Sequence, residues 1–189
     1  MSAEWITLDK ELFARAERML YGIPGGAKKA AARAINRAVI AARQQAVDGV
    51  RENYNIRARD VRETLKVSKA KPNRMIAVIS SLGAPIPLYK FDVRPRAANA
   101  RGRTPVRVGV KKGNRETFEK AFIARSGGVP GVYERKGAKR LPIKQLFGPS
   151  VPHMLNNDRV VSSIADRARE MLEQRLDHEI SRLLDGKND

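Results

Sequence analysis

Residues 27–53 carry the pattern that most restricts the fold of this chain. With Lys29 at zero and about 100° per residue, Ala31, Ile35, Ala38, Val39, Ala42, Ala46 and Val50 fall within an arc of about 120°. Lys29, Arg33, Arg37, Arg43 and Arg51 fall in a second arc. The segment is therefore read as an amphipathic helix. Its apolar side is mostly alanine, which lets a neighbouring helix or sheet approach closely. Ile40 and Val47 interrupt the basic side. Two aliphatics among arginines suggest cover by another subunit, so Lys29, Arg33, Arg37, Ile40, Arg43 and Val47 are candidate inter-subunit contacts. The alternative is that both aliphatics are isolated exposed residues, which are common.

Residues 8–20 predict a shorter helix, and 57–65 a third. The period then changes. Lys66–Ala70 and Arg74–Ser81 are strand-like, rich in β-branched residues, around the turn Lys71-Pro72-Asn73, and Ile86–Phe91 reads as an edge strand because of Pro85 and Pro87. Residues 92–104 are broken by Pro95 and Gly102 and read as a long mobile loop, leading into a strand at Val106–Lys111. Phe118–Arg125 and Val132–Arg135 form a strand pair joined by a turn over 126–131, and Leu141–Leu146 closes the sheet. Residues 158–184 predict a long C-terminal helix with Gly186 just past its end. Helices, then short antiparallel strands, then a helix make an α+β fold. The length suits a single domain over 1–189, with the basic loop and strand at 92–115 inside it.

The net charge is +18. Residues 1–157 hold 32 Lys/Arg and 12 Asp/Glu, a net of +20, whereas 158–189 hold 6 and 8, a net of −2. Between Asp92 and Glu116 there is no carboxylate, yet Arg94, Arg96, Arg101, Arg103, Arg107, Lys111, Lys112 and Arg115 lie there. Such a stretch is best tolerated beside a polyanion or an acidic protein surface. Both remain open as partners. Arginine's planar fork suits phosphates and carboxylates alike. No helix-turn-helix, zinc-finger or RNA-recognition signature is present, so contact with DNA is expected to be sequence-blind and salt-sensitive. Aromatics at 5% argue against stacking of single-stranded bases.

Little points to catalysis. The chain has no cysteine, which removes disulfides, thiolate metal sites and cysteine nucleophiles. His153 and His178 lack a second ligand at helical spacing. Gly22–Lys29 precedes a helix, but it lacks the Walker pattern. No acid cluster joins Asp92, Glu116, Glu119 and Glu134 into a metal site. No enzymatic activity, cofactor or metal is expected. The first residues, MSAEWITLDKE, have neither a basic nor an apolar leader region, so no signal peptide is expected. No run approaches the 18 apolar residues needed to span a membrane.

Several ordered segments together resemble the minor tail protein Z family of long-tailed bacteriophages. They are GGAKKAAARAINRAV at 25–39, IRARDVRETLKVSKAKPNRMIAVIS at 56–80, PIPLYKF at 85–91, KAFIAR at 120–125, and YERKG with RLPIKQLFGPSVPHM within 133–154. The resemblance covers roughly 24–155. It implies a structural virion component that completes the head-proximal end of the tail, assembled in the host cytoplasm. It also implies a homo-oligomeric ring, commonly of six copies, next to tail-terminator and head-tail connector proteins, with double-stranded DNA in its lumen. A free-standing, nonspecific DNA-binding protein is the alternative that the charge alone allows.

Overall fold

The computed structural model of the chain describes residues 2–97 and 104–186, with side chains described from Ile6 onward. The elements run β1 (Ser2–Thr7), α1 (Lys10–Met19), α2 (Gly26–Asn53), α3 (Ala58–Arg62), β2 (Leu65–Ser68), β3 (Ile76–Ser81) and β4 (Ile86–Pro87). After a 3₁₀ turn at Leu88–Lys90 come β5 (Asp92–Arg94), β6 (Val106–Gly109), β7 (Glu116–Phe118), β8 (Ala121–Ser126), β9 (Val129–Arg135), β10 (Ile143–Gln145) and β11 (Phe147–Gly148). Helices α4 (Val151–Leu155) and α5 (Asp158–Asp185) follow. All strand pairs among the described residues are antiparallel, and the architecture is α+β, as the order of segments predicts. The residues form two compact units, both discontinuous in sequence. The first comprises Met1–Gly49, Leu65–Leu82 and Leu155–Asp189, and the second Val50–Thr64 and Gly83–Met154.

In the first unit β3 is the middle strand of a sheet ordered β1-β3-β2. Its alternation buries Ala77, Ile79 and Ser81. β1 was not expected from the sequence; it pairs along the whole of β3, with Ile6 opposite Ala77. Asp9 then caps α1, its carboxylate accepting the Glu11 N–H at 2.7 Å. Helix α2 is buried at Ala30, Ala31, Ala32, Ala34, Ile35, Ala38, Val39, Ala42, Ala46 and Val47. Apart from Lys28 at its start and Arg51 and Glu52 at its end, only a stripe of about 80°, marked by Lys29, Arg33, Arg37, Ile40 and Gln44, is exposed. Helix α5 runs antiparallel to α2. Arg33 meets Glu179 at 3.4 Å, and a Cβ built on Gly49 would stand 3.2 Å from the Val160 side chain. The absent side chain at Gly49 thus sets how near the two helices come. Glu179 is buried between Arg33 and Arg182, the latter at 3.0 Å.

In the second unit two three-stranded sheets, β5-β6-β7 and β10-β9-β8, accompany the short β11-β4 pair. Phe91, Val93, Val106, Val108, Val132 and Met154 are its core. The strand expected at 118–125 is divided between β7 and β8, that expected at 106–111 ends at Gly109, and three further expectations change. Only Ile86–Pro87 of the expected strand at 86–91 is extended, and it pairs with β11. The chain then coils as a 3₁₀ turn, and Lys90 at its end pairs with the buried carboxylate of Asp60. Second, Asp92–Arg94 is a strand and not the start of a loop, because Val93 packs inward opposite Val108. Third, the β8-β9 turn is only Gly127-Gly128. Both have positive φ, 58° and 81°, as a two-residue hairpin loop requires. Residues 98–103, within the expected loop, lie outside the described residues.

A polar clamp ties α2 to the β2-β3 connection. The Asn36 side chain donates to the Ala70 carbonyl at 3.0 Å and accepts the Ala70 N–H at 2.8 Å. Ala70 is buried. Asn36→Ala leaves both backbone groups without a partner, and we expect a loss of about 1–3 kcal/mol in chemical denaturation. An unchanged midpoint would show the clamp to be dispensable.

Candidate nucleic-acid and subunit interfaces

The charge divides with the fold. Counted over the full sequence, the second unit has 20 Lys/Arg and 7 Asp/Glu, a net of +13; the first has 18 and 13, a net of +5. The second unit has the shorter chain and most of the excess.

One concentration of that charge lies on the outward face of β5-β6-β7. In the β5-β6 register Arg94 stands directly opposite Arg107, and Thr117 follows on β7. Val93, Val106 and Val108 fill the other face. Alternation therefore obliges the arginines to share the exposed side. Like charges directly opposed weaken a sheet. One carboxylate offsets them. Asp92 pairs with Arg115 and lies 3.8 Å from the Nε of Arg94. Gly109, opposite Asp92, leaves room for this reach: a Cβ there would stand 3.4 Å from Cγ of Arg115 and 3.2 Å from Nδ2 of Asn55.

Lys111 and Lys112 sit in the β6-β7 turn, where Gly113 has φ 77°. This turn closes over the last residues of α2. The Lys112 N–H donates to the Asn53 carbonyl at 2.9 Å, and the Asn55 N–H donates to Val110 at 2.9 Å. The Asn55 side chain also donates to the carbonyls of Gly109 and Lys111, at 3.0 and 3.3 Å. Lysines at a helix C-terminus oppose its negative dipole end favourably. Arg96 is exposed, and its carbonyl accepts from the Tyr89 hydroxyl at 3.1 Å.

The structure thus brings Arg94, Arg107 and Arg115 to one face and holds Lys111 and Lys112 at the end of the same hairpin. Arg101 and Arg103 lie outside the described residues. Asp92 and Asn55 were not singled out from the sequence. Asp92 borders the carboxylate-free window, so its closeness to those cations was available there. Nothing local marks Asn55.

The candidate subunit contacts divide. Arg37 and Ile40 line a groove between α2 and α5, together with Gln44, Met171 and Arg175. Ile40 is 49% exposed, and the buried Nε of Arg175 finds no hydrogen-bond partner among the described residues. Lys29 is exposed. Arg33 is engaged by Glu179 within the protomer, and Arg43 is half-buried. Val47 is corrected: it is 0% exposed and cannot meet a neighbour. Cover by the chain's own elements extends around more of α2 than a two-sided helix implies, and Val47 lies at the edge of the exposed stripe.

Among the described residues, no group of three or more His, Asp or Glu side chains could hold a metal ion, and no helix is long and apolar enough to cross a membrane. His153 and His178 are both exposed on helices.

The family model described as prophage minor tail protein Z matches residues 14–185. Neither a curated protein nor a solved structure matches the chain.

Arg107→Thr removes the opposed arginine pair and places Thr beside Thr117. We expect a gain of about 0.2–1 kcal/mol in low-salt denaturation, shrinking as salt screens the original repulsion. A loss of stability at every salt concentration would contradict this reading of the sheet face.

Proposed function

This chain belongs to the prophage minor tail protein Z family, and we propose that it completes the head-proximal end of the phage tail as a ring of its own copies. In this reading it is a structural virion protein of the tail. The ring, with six copies expected, joins the tail to the head connector beside the tail terminator. The cationic face of the second unit turns toward the double-stranded DNA in the lumen. The opposed Arg94 and Arg107 carry the proposal, because a surface that sets two arginines against each other is relieved by a polyanion. Phosphate contact of this kind is independent of base sequence, as an opening that passes a whole genome requires. Self-association is supported by Ile40, a large aliphatic side chain left half-exposed among arginines in the groove between α2 and α5, which suits a neighbour supplying apolar contact.

Duplex binding of the full chain, measured against salt, tests the first part. Each phosphate neutralised contributes about 0.9 to the slope of log K on log salt. Arg94→Ala with Arg107→Ala should lower that slope by about 2. An unchanged slope and affinity removes the DNA-facing assignment.

Ile40→Glu tests the second part. Protomer stability should stay within about 0.5 kcal/mol of wild type, while self-association, followed by sedimentation with tails present, weakens about tenfold or more. A protein that keeps the salt slope yet neither associates nor restores joined particles in an extract lacking it would instead be a free-standing DNA binder.

A further inference from the structure

The β9-β10 connection carries a second concentration of positive charge, separate from the arginine-bearing sheet face. After Glu134 no carboxylate occurs until Asp158, and Arg135, Lys136, Lys139, Arg140 and Lys144 lie between them. Residues 135–142 are all exposed. The turn is nevertheless organised. The Lys136 N–H donates to the Pro142 carbonyl at 3.1 Å, closing its base. The Arg135 guanidinium donates to the Arg140 carbonyl at 3.3 Å and lies 5.0 Å from the centroid of the Phe122 ring. Arg135 therefore acts as a brace, and Lys136, Lys139 and Arg140 are left on a turn of defined shape. None of the three has an ion-pair partner among the described residues. Lys144 differs, because the strand register sets it opposite Glu134.

Local acids therefore do not explain these three cations. Elsewhere in the unit, Asp60 meets Lys90 and Asp92 meets Arg115. Solubility does not explain them either, since it is served by mixed charge of the kind the first unit carries. A protein partner would need an apolar anchor at its centre, and the turn offers only one exposed large apolar side chain, Leu141. Two lysines and an arginine with no fixed partner suit phosphates, which accept point charges from many directions.

We propose that the β9-β10 turn, through Lys136, Lys139 and Arg140, is a second contact site for the phosphate backbone of double-stranded DNA. It rests on the reading of the second unit as the DNA-facing part of a tail protein. The two surfaces would engage the duplex at separate places, with Arg135 holding the turn in position.

The experiment measures binding of the full chain to a fluorescent duplex of arbitrary sequence over a range of salt. Lys136→Ala, Lys139→Ala and Arg140→Ala are combined in one variant. The control, Lys66→Ala, Lys69→Ala and Lys71→Ala, removes the same charge from exposed positions of the first unit. The turn variant should lower the slope of log K on log salt by about 2–3, while the control leaves it unchanged. An unchanged slope in the turn variant overturns the proposal. So does an equal loss in the control, because net charge alone would then account for binding. The Arg94→Ala, Arg107→Ala protein measured alongside reports on the sheet face separately. A full slope there with a reduced slope in the turn variant would sink the sheet-face assignment and leave the turn standing.

Discussion

Burial of α2 is the constraint on which the remaining structure depends. Its alanines present little bulk, so side chains of neighbouring elements pack directly against the helix and most of its circumference is buried. Each buried alanine removes little apolar area, and the helix gains stability only when many neighbours pack on it at once. Polar clamps supply what small apolar side chains cannot, namely a fixed position. Asn36 fastens the β2-β3 connection in one unit, and Asn55, just past the helix, fastens the β6-β7 turn in the other. Gly49 serves the same geometry by letting Val160 approach.

The distribution of charge follows a different logic. Apolar cores of valine and phenylalanine hold the second unit together, while its outer surface carries most of the protein's excess positive charge. An opposed arginine pair is a local cost that a sheet selected for stability alone would avoid. Local rules broken in this way mark functional surfaces more often than structural ones. In the first unit Glu179 draws Arg33 and Arg182 together, and Asp177 meets Arg15 at 3.0 Å. There charges close the structure; on the β5-β6-β7 face they are turned outward.

Long periodic segments were legible in the sequence. Helices α2 and α5 appear within about a residue of their expected limits, and β3 alternates as its β-branched residues predict. Features that depend on distant partners were not. β1 exists because β3 offers it an edge, and nothing within its own few residues announces this. Ala165 has the right phase for the buried side of α5 yet is exposed, and Val47 has the phase of the basic side of α2 yet is buried. Both depend on what covers each helix. The basic stretch itself was plain as composition. That Arg94 and Arg107 face each other, with Asp92 beside them, follows from strand register, which bridges a sequence separation that no local pattern spans.

The interleaving of the two units affects the order in which the chain can acquire structure. Every residue of the second unit precedes α5, while the first unit needs α5 to cover α2. During synthesis the second unit is therefore complete before its companion. The early helix must wait, the side that α5 covers still open, until the last long segment leaves the ribosome. A face of small side chains is less prone to aggregate during that interval than one of leucines or phenylalanines would be.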